Sequence, residues 1–240
     1  MQLKIYIDLG SDKLSLPLNY NHILQGIIYN SLSNDLEYQK TLHNEGITLG
    51  ENYKLFTFSS LCGKHTISNK MITFIDNVFL EIRSVDSYFI FLVYEYMKQN
   101  GITFGNRKLY PNLKLENKII QENNITIKMN SPICVFKKNL ENNNTIYLSP
   151  RDSEFETAIN NNFIRKYSSY YCIEPYSDIL ITNINLSPKD KVVTNIKKIY
   201  ITSWKGEYVL EGSPDYLTFL YNAGLGSKNS QGFGLFEIIK

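Results

Sequence analysis

Apolar residues alternate with polar ones at the start of the chain, with Leu3, Ile5 and Ile7 sharing one face, and this period of two predicts a strand over residues 2–9. After Pro17 the period becomes helical. Tyr20, Leu24, Ile27, Ile28 and Ser31 fall on one side of a helix that reaches Leu32, with Asn19 or Asn21 as its N-cap. An advance of about 100° per residue puts His22, Gln25, Gly26 and Tyr29 on the opposite side, so Tyr29 is predicted outside the core.

A polar, weakly helical piece over residues 34–42 leads to a turn at His43-Asn44-Glu45-Gly46 and a strand over 53–61. Gly63-Lys64 reads as a hairpin turn whose return strand runs over 65–74, and a further strand is expected over 79–83. Residues 84–100 place Tyr88, Phe89, Phe91, Leu92, Tyr94 and Tyr96 between a Ser84/Asp86 cap and Gly101, which predicts a second helix despite the aromatic content. Residues 102–115 close the unit as strand or hairpin. The order is β-α-β-β-α-β.

Low hydrophobicity over residues 116–124 marks a boundary. Beyond it come a strand over 125–136 interrupted by Pro132, a turn at Asn142-Asn143-Asn144, and a short strand at 146–148. Ser149-Pro150 opens a helix carrying Phe155, Ile159, Phe163 and Tyr167. Strands over 178–186 and 191–203, a short one at 206–210, a helix opened by Ser213-Pro214 and a strand over 233–239 repeat the first order. The expected class is α+β, two tandem ferredoxin-like (RRM-like) domains at 1–117 and 118–240. No sequence repeat links the halves, so the duplication rests on element order. Such a sheet, with one open face, is the platform RRM domains offer to single-stranded RNA, although fold alone leaves function open.

Between the last helix and the last strand lies Gly224-Leu225-Gly226-Ser227-Lys228-Asn229-Ser230-Gln231-Gly232-Phe233-Gly234, with four glycines around a polar filling. Such a backbone can take positive φ and bring its N–H groups close to an anion. It is no Walker A loop, because Phe233 follows Gly232, and no Rossmann turn, because Asn229 stands where a glycine is needed and the loop leaves a helix for a strand. A plain glycine connection and an anion-binding turn both fit these residues.

The bulk properties narrow this little. The 240 residues carry 25 Lys+Arg against 23 Asp+Glu, net +2, so a nucleic-acid partner requires a local basic surface. Cys62, Cys134 and Cys172 are an odd number without Cys-x-x-Cys spacing, which points away from a disulfide framework or zinc site, toward buried fillers and a reducing cytoplasm. No segment has the apolar length of a signal peptide or membrane span, so a cytoplasmic protein without membrane partner is expected. His22, His43 and His65 show no metal-ligand spacing, and Asp35 with Glu37, or Glu45 with Glu51, read as surface charge, so no metal and no cofactor is expected. His43 stands in a polar turn where no apolar face demands an imidazole. It is either an exposed turn residue or a group that exchanges protons near neutral pH.

Several pieces in order carry a resemblance: Pro17-Leu18-Asn19-Tyr20-Asn21-His22, Leu24-Gln25-Gly26-Ile27-Ile28-Tyr29, Leu42-His43, Tyr53-Lys54-Leu55-Phe56-Thr57-Phe58-Ser59, and the closing Gly-x-Gly and Gly-Phe-Gly. Together they resemble the CRISPR repeat-RNA-processing endoribonucleases of the RAMP superfamily. Residues 115–205 match only in element order. The resemblance implies two ferredoxin-like domains that cut precursor CRISPR RNA within each repeat without a metal, leaving a 2′,3′-cyclic phosphate and a 5′-hydroxyl.

Carried onto this sequence, the family's histidine falls on His43, its tyrosine on Tyr29 and its lysine on Lys54. The resemblance implies His43 in one proton transfer, as general base, and Tyr29 at the other oxygen as acid or positioning group, since a phenol with a reference pKa of about 10 is a poor base at neutral pH. It implies Lys54 as the stabiliser of phosphorane charge. Read without it, Tyr29 is a surface tyrosine, one of 18, and Lys54 an edge-strand lysine.

The expected RNA contacts are Gly224, Gly226, Ser227, Lys228, Asn229, Gln231, Gly232 and Gly234 of the loop, with His22, Arg165 and Lys166. Lys189, Lys191, Lys197 and Lys198 are further basic candidates, and Tyr167, Tyr170 and Tyr171 either stack on bases or serve as core and rim. The expected partner is CRISPR repeat RNA, with a CRISPR effector complex as a further possibility and the protein as monomer or homodimer. The rival readings are a RAMP-type subunit that binds CRISPR RNA without cutting it, and a small-molecule-binding pair of ferredoxin-like domains.

Overall fold

The structure is a computed structural model and describes residues 1–46, 53–139, 144–196 and 199–240. Glu51, Asn142, Asn143, Lys197 and Lys198, all named above, lie outside the described residues. In chain order the first half forms β1 (Gln2–Pro17), α1 (Asn21–Asn30), α2 (Leu36–Asn44), β2 (Phe56–Phe58), β3 (Cys62–Ser68), β4 (Met71–Ser84), α3 (Ser87–Asn100), β5 (Ile102–Phe104), β6 (Arg107–Leu109) and β7 (Asn112–Glu116). The second forms β8 (Asn124–Met129), β9 (Phe136–Lys138), β10 (Thr145–Tyr147), α4 (Phe155–Tyr171), β11 (Leu180–Asn185), β12 (Lys191–Ile196), β13 (Ile199–Trp204), β14 (Glu207–Glu211), α5 (Pro214–Ala223) and β15 (Phe236–Ile238).

Among the described residues β5–β6, β9–β10 and β12–β13 pair separately, and the two larger antiparallel sheets are ordered β2-β4-β1-β7, with β3 also on β4, and β11-β14-β8-β15. In each, the first and third strands of a β-α-β-β-α-β unit are central and the second and fourth lie outside. That is the ferredoxin-like order, and the chain carries it twice.

Several elements differ from the sequence reading for identifiable reasons. The hairpin turn is at Asn69-Lys70, whose φ of +52° and +61° suit a two-residue I′ turn, and Gly63 and Lys64 sit within β3 at a register shift. His43 and Asn44 belong to the last turn of α2 rather than to a turn: the helix, capped at its start by Asp35, runs on until Glu45 N donates to Thr41 O at 2.8 Å. Neither Asn19 nor Asn21 caps α1; their amides donate instead to Asn195 O, and to Gln231 O and Gly232 O. Helix α4 begins at Phe155, after the turn that Ser149-Pro150 makes. The expected strand over 191–203 is a separate β12–β13 hairpin, and the short strand beyond it, β14, is the central one. Cys134 alone is buried; Cys62 and Cys172 are exposed.

Burial separates one apolar cluster drawn from residues 3–104 and another drawn from 120–236 plus Leu55. The segment before β2 therefore touches both: Leu55 packs into the second cluster and Phe56 into the first. Leu55 holds φ at +43°, a conformation costly for a branched side chain, which reverses the chain between the two cores. Arg83, only 2% exposed, joins the halves again. Its guanidinium bonds Glu81 Oε1 and Phe236 O, both at 2.7 Å, and lies 3.6 Å above the Tyr221 ring.

Candidate active site and RNA-facing loop

Three helix and strand ends converge where the two cores meet. Tyr29 lies at the end of α1, His43 at the end of α2, and Lys54 just before the Leu55 reversal. Leu42, fully buried, anchors α2 to the first core and leaves its neighbour His43 exposed. Gln39 Nε2 donates to Tyr29 O at 2.6 Å and ties the two helix ends together.

The side chains face one another. The Tyr29 ring lies edge to face with His43, centroids 5.8 Å apart, and Lys54 Nζ stands 5.3 Å from the centre of the Tyr29 ring. Lys54 also donates to His43 O at 3.0 Å, a cation on a carbonyl at the negative end of α2. His43 Nδ1 lies 3.1 Å from Asn44 Oδ1, an acceptor, so the ring proton belongs on Nδ1 and a neutral imidazole presents the lone pair of Nε2. The Tyr29 hydroxyl is buried without a hydrogen-bond partner among the described residues, and burial pushes its pKa up to about 12. The phenol is therefore neutral at neutral pH, no base, and able to donate a hydrogen bond. Burial lowers the Lys54 pKa from the usual lysine range. A cavity of about 240 Å³ opens over Tyr29, Lys40 and His43.

A second cavity, of about 330 Å³, is lined by Lys54, Arg165, Lys166, Ser227, Lys228 and Ser230 among others, with no carboxylate among the described residues of its wall, and Lys54 bonds His43 of the first. The sequence reading scattered these cations; the fold gathers them at the seam between the halves. His22 is not drawn in, and its Nδ1 lies 2.8 Å from Asn19 O on the exposed face of α1. Lys191 lies elsewhere, beside Trp204. Tyr167, Tyr170 and Tyr171 pack with one another and with Phe219, as core and rim.

The glycine loop is built differently from the expectation. Gly224, Gly226, Asn229, Gly232 and Gly234 are buried, while Ser227, Lys228, Ser230 and Gln231 are partly exposed. A Cβ on Gly226 would stand 2.6 Å from Cys134 O, and one on Gly232 2.6 Å from Phe58, each at positive φ. At these two glycines neighbouring protein fills the space a side chain would need. Asn229 gives its amide to Leu225 O and Phe233 O and so closes the loop on itself. Lys166 is corrected as well: it is 2% exposed, and its ammonium bonds Gly224 O, Gly226 O and Asn229 Oδ1 at 3.1, 2.6 and 2.6 Å. Its three protons are all used inside the loop.

The polar face of α1 holds the loop from the other side, Gln25 Nε2 donating to Ser230 O and Asn21 to Gln231 O and Gly232 O. Thr57 of β2 adds a bond to Phe233 O at 3.0 Å. Sequence reasoning put His22, Gln25 and Tyr29 on one face of α1 and gave His22 and Tyr29 to the RNA, without assigning Gln25 a partner. Among the described residues, no three His, Cys, Asp or Glu side chains form a group that could hold a metal ion, and no helix is long and apolar enough to cross a membrane.

Comparison with known proteins adds the family. The family pattern described as CRISPR associated protein Cas6, C-terminal, matches residues 115–238, just over half of the chain. The chain is 29% identical to CRISPR-associated endoribonuclease Cas6 1 of Methanocaldococcus jannaschii, over 97% of this chain and 91% of that protein. It is 27% identical to CRISPR-associated endoribonuclease Cas6 of Pyrococcus furiosus, over 93% and 83% respectively. The solved structure described as that of a Cas6-related gene from Pyrococcus furiosus has the same fold, with a TM-score of 0.84 at 23% identity, over all of this chain and 98% of the other. With its C-terminal half matching the family pattern and both halves sharing the fold of such a structure, the chain belongs to the Cas6 family of CRISPR-associated proteins.

Proposed function

We propose that this protein is a metal-independent endoribonuclease that cuts CRISPR repeat RNA in precursor transcripts by attack of a ribose 2′-hydroxyl on the adjacent phosphorus. Residues 1–117 act as the unit carrying Tyr29, His43 and Lys54, and residues 118–240 as the unit carrying the loop. The observation that carries the reading is the convergence of those three side chains, from three separate elements, beside a cavity walled by cations.

His43 Nε2 takes the 2′-hydroxyl proton as the new O–P bond forms. The leaving 5′-oxygen gains a proton, from Tyr29 or with Tyr29 positioning the donor, and the products end in a 2′,3′-cyclic phosphate and a 5′-hydroxyl. Lys54, held by His43 O, offsets the extra charge on the phosphorane oxygens. Arg165, Lys228, Ser227 and Gln231 hold the backbone of the repeat beyond the scissile bond.

The relatives named above support repeat RNA as the substrate, because their names give them as CRISPR-associated endoribonucleases. Incubation with a CRISPR repeat RNA in EDTA tests the proposal. Cleavage at one bond supports it; tight, salt-dependent binding without product replaces it with a non-cutting RNA-binding subunit.

A further inference from the structure

Lys166 is a cation in an unusual position. It is buried, it meets no carboxylate among the described residues, and its acceptors there are two main-chain carbonyls and one side-chain amide oxygen, all from the glycine loop. Desolvating an ammonium with only neutral partners is costly, and an apolar residue of similar length would avoid that cost. The three bonds join the two ends of one short segment: Gly224 and Gly226 before the Ser227-Lys228 tip, Asn229 after it. Asn229 passes the constraint on to Leu225 and Phe233. Of this loop Ser227, Lys228, Asn229 and Ser230 line the cationic cavity with Lys54 and Arg165, and Ser227 and Lys228 are the two held between the anchors.

We propose that Lys166 is a positioning residue for the substrate, fixing Ser227 and Lys228 at the cavity from behind the loop and so determining RNA affinity without touching RNA. The proposal rests on the RNA-binding role given to this cavity above. It also assigns the buried charge a purpose, because the field of Lys166 adds to that of the cations in front of it.

Protonation supplies a signature that a purely structural lysine would lack. Burial lowers the Lys166 pKa to about 7. Among the described residues, the charged groups lining the same cavity are Lys54 from the segment before β2, Arg165 from α4 and Lys228 from the loop, and Tyr53 is the other titratable side chain there. All three charged groups are cations and disfavour a further proton. A phosphate brought into the cavity reverses that balance and raises the Lys166 pKa, so the complex binds more protons than the free protein. RNA affinity must then fall as pH rises above about 7.

The test uses a repeat RNA with a 2′-deoxy ribose at the cut site, so that binding is read apart from chemistry. Lys166→Met is expected to raise Kd tenfold or more and to abolish the fall in affinity between pH 7 and 9. Its single-turnover rate on the all-ribose repeat at saturating protein should stay within about threefold of wild type. An unchanged Kd, or an undiminished pH dependence in the variant, overturns the proposal. Should Lys166→Met fail to fold, NMR of the Lys166 side-chain amine in the wild-type protein decides: a higher midpoint with RNA than without supports it, and equal midpoints overturn it. Failure of the wild-type protein to bind repeat RNA overturns both this inference and the reading beneath it, whereas wild-type binding with an indifferent Lys166 overturns this inference alone.

Discussion

Lys54 Nζ donates to the main-chain carbonyl of His43 at 3.0 Å, so the proposed charge stabiliser is tied to the backbone of the proposed base and not to its ring. Removing the imidazole leaves that tether in place. His43→Ala should therefore lose about 10² to 10⁴ in cleavage rate while RNA affinity stays near wild type. Single-turnover kinetics beside a binding isotherm check this, and a His43→Ala protein cutting at the wild-type rate contradicts the assignment.

Tyr29 offers a sharper separation of function from stability. Its buried hydroxyl has no partner among the described residues, so Tyr29→Phe removes an unsatisfied polar group and should leave stability unchanged or raise it by up to about 1 kcal/mol. The same variant should cut at least tenfold more slowly. Thermal melts with single-turnover rates test the pair; a destabilised but fully active variant would show the hydroxyl to be structural.

Arg83 bonds across the two halves. Truncating it to methionine strands the Glu81 carboxylate, which is 4% exposed, and removes the bond to Phe236 O, so a loss of about 3–5 kcal/mol is expected in chemical denaturation. Pairing Arg83→Met with Glu81→Gln should recover part of that loss. A single-variant loss under about 1 kcal/mol would mean that the halves hold together by other contacts.

Lys228 tests the cavity as an RNA surface. Among the described residues it has no carboxylate partner, and it reaches over the Phe136 ring at 5.5 Å. Lys228→Ala should weaken binding of any repeat sequence and reduce the slope of log K against log salt by about one, without changing sequence preference. An unaltered slope would remove Lys228 from the contact surface.

Much of the fold could be read from periodicity, because period-two and helical patterns show which face an element buries. The core faces of β1 and α1, the Ser213 cap with Pro214, the Asp86 cap and the Gly101 end all follow local rules and stand as expected. What periodicity could not show was tertiary use of polar residues. Asn21 and Gln25 look like a solvent face of α1, yet they bind the loop; Lys166 looks like half of a basic pair, yet it points inward because its helix turns that face to the loop. Glycines pose the same ambiguity: Gly226 and Gly232 match an anion-binding turn in sequence, and only packed neighbours reveal that protein fills the space. Tyr29, His43 and Lys54 were found through the resemblance, since spacing alone could not bring the ends of α1, α2 and the Leu55 reversal together.

The central claim is attack by a ribose 2′-hydroxyl without a metal, and the most direct measurement compares two repeat RNAs in EDTA. One is all ribose; the other has a single 2′-deoxy residue at the cleavage site. The first should be cut to a 2′,3′-cyclic phosphate and a 5′-hydroxyl, and the second should bind equally well and stay intact. Cleavage of the deoxy substrate at the same bond, or loss of all cleavage in EDTA with restoration by a divalent cation, would contradict the mechanism.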